Sequence, residues 1–119
     1  MDGLMTVRKG RSVCWVREDG PLTLTVPGAD SAYAQGDLLF VLTVSPPALP
    51  HRLTVFGRDG MPLAELPPPP GHVFQYLSRH IEAGMSVVCA AEVPAEQWPD
   101  WHFGYDSQKR ALVRLGPAY

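Results

Sequence analysis

The chain has no apolar run long enough to cross a bilayer. The longest, Leu38–Val44, falls far short of the roughly 20 residues that a spanning helix needs. The first residues, MDGLMTVRKG, contain no hydrophobic stretch of the kind a secretory signal requires. The expected location is therefore the cytoplasm, with no membrane partner. Cysteine is scarce, with only Cys14 and Cys89. Each sits in an apolar, strand-like run, so in a reducing compartment each reads as a small buried hydrophobe. Whether the two pair is a matter of geometry that spacing does not answer. Lysine is scarce too, two residues against eight arginines, and basic charge is not in excess, since the formal net charge is −2. That removes any bulk electrostatic pull toward nucleic acid or an anionic membrane. No stretch reaches the specificity of a catalytic or metal motif.

What the chain does have is 45% apolar residues against 18% charged, a globular rather than disordered balance. At 119 residues it is expected to form a single domain, 1–119, with a core that needs no disulfide or structural metal. Thirteen prolines and eleven glycines point to many short elements joined by tight turns, because both residues break long helices.

Strand signals recur along the chain. Leu4–Arg8 and Ser12–Arg17 are short candidate strands, and Leu22–Val26 alternates apolar and threonine residues cleanly. The Asp19-Gly20 dipeptide is a turn signal between the last two. Residues 27–37 read as loop. Leu38–Val44 is apolar on both faces except for Thr43, which suits a central strand covered on both sides. Strands at 51–57 and 63–66 flank a turn at Arg58-Asp59-Gly60, and 86–91 reads as a buried strand. The prolines at 67–70 favour an extended spacer; a groove-binding PxxP ligand is the alternative. The two Asp-Gly turns lie 40 residues apart, and the final hairpin falls in a third comparable place. A period near 40 is that of propeller blades, but three units cannot close a propeller, and Asp-Gly is common in unrelated hairpins.

One helix is expected, near 71–83. Phe74, Leu77 and Ile81 fall on one stripe at helical spacing, Pro70 suits the first turn and Gly84 the end. The expected class is therefore α+β and β-rich: seven to nine short antiparallel strands with this helix docked on them. A small β-sandwich or partly closed barrel is the alternative.

Several groupings could carry chemistry. On a helix, His72, Tyr76 and His80 would share one side, but His72 and His80 would stand about 12 Å apart and could not share an ion. Cys89 with His102 and either Asp100 or Asp106 has the composition of a thiol site, but nothing around Cys89 activates it. Glu92, Glu96 and Asp100, spaced by four, could offer oxygens to a hard cation but lack a calcium-loop pattern. Arg8, Lys9, Arg11 and Arg17 near Trp15 make a small basic patch with no nucleic-acid module around it, so nucleic acid is not an expected partner. In the closing hairpin, Trp101, Phe103 and Tyr105 share a strand face that could be core or contact surface.

The expected function is a non-enzymatic protein-binding module. Its acidic and aromatic surface would be built from Trp98, Asp100, Trp101, Glu92, Glu96 and His102. A small inhibitor or immunity-type protein is one concrete form. The alternatives are a small enzyme or a ligand or metal binder using His102 with Cys89 or with Glu92, Glu96 and Asp100, and a structural subunit of a homo-oligomer. No catalytic residue, metal or cofactor is assigned.

Overall fold

The computed structural model describes residues 4–44, 50–92 and 99–118. Its elements form three sheets. The first contains β1 (Leu4–Arg8), β2 (Ser12–Arg17) and β3 (Gly20–Thr25). The second contains β4 (Ala29–Gln35), β5 (Leu38–Val44), β6 (Pro50–Phe56) and β7 (Pro62–Leu66). The third contains β8 (His72–His80), β9 (Gly84–Ala91), β10 (Asp100–Asp106) and β11 (Ala111–Pro117). Each sheet is an antiparallel meander in which neighbours in sequence are neighbours in space. The class is all-β, with eleven strands among the described residues rather than the expected seven to nine.

The α+β expectation fails at 71–83, where the docked helix is replaced by β8 and a tight turn. The reason is a β-bulge. The pairing of β8 with β9 slips between Phe74 and Tyr76, so Phe74 faces Cys89 and Leu77 faces Val87 on the same side of the sheet. An inserted residue puts positions i and i+3 on one face, which in sequence imitates helical spacing. Ile81, the supposed third member of the stripe, is 96% exposed in the turn. Gly84 has φ of +80° and opens β9 instead of ending a helix. Among the described residues no helix is long and apolar enough to cross a membrane.

A second difference is β4, expected as loop. It forms because it pairs with β5 from Ala32 to Gln35. Its small residues have a packing role: Ala29 and Ala34 are buried where β4 passes close beneath β1. Larger side chains there would push the first two sheets apart.

The second sheet is the middle layer. On β5, Leu39 and Val41 join Val13, Trp15 and Phe56 in a core shared with the first sheet. Phe40 and Leu42 join Leu53, Val55, Phe74, Val87 and Phe103 in a core shared with the third. The expectation that Leu38–Val44 is covered on both faces matches this packing.

The stack also has a direction. Trp15-Val16-Arg17-Glu18-Asp19, Val55-Phe56-Gly57-Arg58-Asp59 and His102-Phe103-Gly104-Tyr105-Asp106 each lead into the last hairpin turn of their sheet. Phe56 packs back on the first sheet and Phe103 back on the second. Trp15 packs forward on the second sheet and Val55 forward on the third. Strand register agrees: Met5 lies opposite Trp15, Phe40 opposite Val55 and Val88 opposite His102. The two Asp-Gly turns 40 residues apart thus occupy the last hairpin of the first and of the second sheet.

Polar contacts stitch the layers together at their turns. Arg58, between β6 and β7, donates to both carboxylate oxygens of Asp19 and, at 3.0 Å, to Asp37. The Arg58 guanidinium holds the Asp19 carboxyl below its usual range. These groups are exposed, so they fix register more than they add stability. Between the second and third sheets, Gln35 Oε1 accepts from the Met85 N–H at 2.5 Å and Nε2 donates to the Ala83 carbonyl at 3.4 Å. A Cβ at Gly84 would collide with the Gln35 amide, whereas one at Gly71, with a similar φ of +74°, would meet nothing within 4 Å. Both Gly→Ala variants should lose about 1–3 kcal/mol to backbone strain. Gly84→Ala should lose more, because it also displaces Gln35. Urea denaturation checks this; equal midpoints for the two variants would contradict the Gln35 tether.

Candidate functional site

The outward face of the third sheet gathers most of the chain's candidate chemistry. Because the β8 bulge shifts the pleat, Tyr76, Ser78 and His80 point away from the core while Phe74 and Leu77 point into it. One row across the sheet reads Tyr76, Val88, His102, Gly116. Beside it lie Ser78 opposite Ser86, and Ala90 opposite Asp100.

Ser86, His80 and His102 converge. Ser86 Oγ and His102 Nδ1 are 2.8 Å apart. The His80 and His102 rings meet edge to face, with centroids 5.4 Å apart. His80 Nδ1 accepts from the Glu82 and Ala83 N–H groups at 3.2 and 3.3 Å, so the neutral ring carries its proton on Nε2. Burial, with the neighbouring His80 adding to it, pushes the His102 pKa below its ordinary 6.5. Ser86 is wholly buried, and its hydroxyl is occupied by His102. The arrangement can hold a neutral imidazole rigidly and offer its other nitrogen to a ligand. It does not expose a nucleophile.

The residues expected from sequence are divided by the pleat. Asp100 and His102 lie on this outward face. Trp101 lies on the opposite face, packed on the core with the Arg114 guanidinium 3.4 Å from its ring centroid. Asp100 and Trp101 therefore do not form one surface. Glu92 is exposed just beyond β9, where its N–H bonds the Gly71 carbonyl. Glu96 and Trp98 lie outside the described residues. Cys89 pairs with Trp101 and faces the core, so it is turned away from His102 on the neighbouring strand. Burial drives its thiol up to about 12, which leaves it protonated and inert. Both cysteines are free, with Cys14 on the outer side of the first sheet. Among the described residues no three His, Cys, Asp or Glu groups converge on a metal position.

The bulge also separates His72 from His80. His72 bonds the Pro70 carbonyl at 2.9 Å and stacks edge-on against Phe103. In the basic patch, Trp15 is buried core, and Arg17 is occupied by the Gly20 and Arg58 carbonyls. Neither is available to stack on or grip a nucleic-acid strand. Near the site, β9 and β10 part beyond Phe103, leaving a crevice of about 220 Å³ lined by Phe40, Met85, Gly104, Tyr105 and Leu115. That is smaller than the roughly 300–1,000 Å³ of pockets that enclose drug-sized ligands.

Sequence reasoning missed Ser86 and the nearness of His80 to His102. The alternation of Tyr76, Ser78 and His80 is a strand signal, hidden by the helical spacing of Phe74 and Leu77. No family model matches the chain, and neither the curated proteins nor the solved structures searched give a match.

A half-buried imidazole whose pKa is held down has a definite pH signature. The unfolded chain takes up a proton near pH 6.5 while folded His102 resists, so its contribution to stability is complete above that pH. It is lost as pH falls from there through the lowered folded value. An NMR titration should give His102 a pKa below 6.5. A value at or above it would contradict the burial of this ring.

Proposed function

We propose that this chain is a non-enzymatic protein-binding module, acting in the cytoplasm through the outward face of its third sheet. One observation carries the reading. Where the second sheet turns Phe40, Leu42, Leu53 and Val55 toward a covering layer, the third turns Val88, Ala90, Asp100 and His102 outward. Among the described residues no sheet covers them; Val88 is itself buried at the centre of the face, Ala90, Asp100 and His102 are half-buried, and Tyr76 beside them is 53% exposed.

The side chains suit recognition. Tyrosine gives a large contact area with few torsions to freeze, and histidine and serine hydrogen-bond adaptably. The face is built on paired strands and braced by the Ser86–His102 contact, so little order has to be gained on binding. Asp100 and His102 lie on the outward side of β10, whereas Trp101 packs on the core beneath it. A small inhibitor or immunity-type protein is one form such a module takes, by analogy of size and charge alone. The Ser86–His102 pair would also suit a small-ligand site, but the serine is sealed within the sheet, which weighs against reaction chemistry there.

The test compares proteins retained from a native lysate by the wild type, by Tyr76→Glu and by Lys109→Glu, an exposed turn residue away from this face. A contact anchor carries about 2 kcal/mol or more, so at least one retained protein should fall by about tenfold or more with Tyr76→Glu and persist with Lys109→Glu. Identical profiles from all three, with folding unchanged, would contradict the surface assignment.

A further inference from the structure

We infer that the partner of this surface is a second copy of the chain. The outward face of the first sheet in one copy covers the outward face of the third sheet in the other, twice over, closing six sheets into a ring. This rests on the binding-face reading above and names its partner.

The direction of the stack supplies the first argument. At both junctions inside the chain, the Trp15 or Val55 side of one sheet meets the Phe56 or Phe103 side of the next. Among the described residues two sheet faces are left without a covering sheet. The third sheet offers a face equivalent to that of Trp15 and Val55, made of Tyr76, Ala90, Asp100 and His102 around the buried Val88. The first sheet offers a face equivalent to that of Phe56 and Phe103, made of Leu4, Thr6, Cys14 and Val16. The rule that builds the chain therefore joins these two faces to each other, and neither to itself.

Composition agrees. Leu4 and Val16 are paired across β1 and β2, yet they are 74% and 46% exposed. Two adjacent aliphatic side chains in water give this face apolar area that a partner sheet would bury. Charge agrees as well. Arg8 sits on the same face as Thr6, next to the connection from β1 to β2. Asp100 sits on the third sheet next to the equivalent connection from β9 to β10. Continuing the stack brings opposite charges to the same end, whereas pairing two first-sheet faces would bring Arg8 against Arg8. Number agrees too: the three sheets of the described residues do not close on themselves, whereas two copies supply six, within the four to eight of closed propellers. A head-to-tail contact that closes gives a finite assembly, without free ends.

Sedimentation equilibrium on the full chain tests this. The wild type should show twice the 13.0 kDa chain mass. Val16→Glu and Tyr76→Glu should each show the mass of one chain, with unchanged circular dichroism. If Val16→Glu unfolds, Thr6→Lys serves on the same face. An equimolar mixture of the two variants should regain a two-chain species, because each keeps the face the other has lost. A one-chain wild type would overturn self-docking while leaving the face open to another partner. A two-chain mass untouched by both substitutions would overturn the face assignment itself. Loss with only one substitution, or no recovery on mixing, would overturn the head-to-tail contact. A mass rising beyond two chains with concentration would overturn ring closure.

Discussion

Everything in this fold depends on β5 being buried on both of its faces. Leu39 and Val41 point one way and Phe40 and Leu42 the other, and none is more than 1% exposed. A strand with one wet face can hold only one layer. A strand that is apolar on both faces needs two, and here the first and third sheets meet that need. Truncating one such side chain typically costs about 2–5 kcal/mol, against a total stability of about 5–15 kcal/mol for a small domain. Among the described residues β6 and β4 also reach both cores, β6 with Leu53 and Val55 on one side and Phe56 on the other, β4 with Tyr33 on one side and Ala29 and Ala34 on the other, but only β5 places two large buried side chains in each.

The same constraint explains where the surface lies. In a stack with a direction, every sheet has a face toward the next layer and a face toward the previous one. The interior faces hold the large hydrophobes. Polar groups appear at equivalent positions only where the stack ends, as Asp100 and His102 do in place of Leu53 and Val55. The His80, Ser86 and His102 cluster is therefore the repeat's core position rewritten in polar residues, still rigid because the strands beneath it are unchanged.

What was legible in the sequence follows the same physics. Leu38–Val44 was legible because two-sided burial leaves an unbroken apolar run. Phe103 was legible as core because aromatic alternation in a strand has few other uses. β4 was not, since close approach to β1 selects small residues such as Ala29 and Ala34, and ADSAYAQ then looks like loop. β8 was misread because a bulge, which no composition reveals, gave Phe74 and Leu77 helical spacing. Of the residues expected to share one surface, Asp100 and His102 do lie on one face of β10, but the pleat turned Trp101 away from them. Serine in a buried strand gave no hint that Ser86 would brace His102.

Hydrogen exchange followed by NMR tests the central claim most directly. If β5 is the shared wall of both cores, its amides from Leu39 to Leu42 exchange only when the whole chain unfolds, and more slowly than those of the edge strands β3 and β11. If β5 exchanges as fast as those edges, the two cores are not held by one strand, and the layered account is wrong.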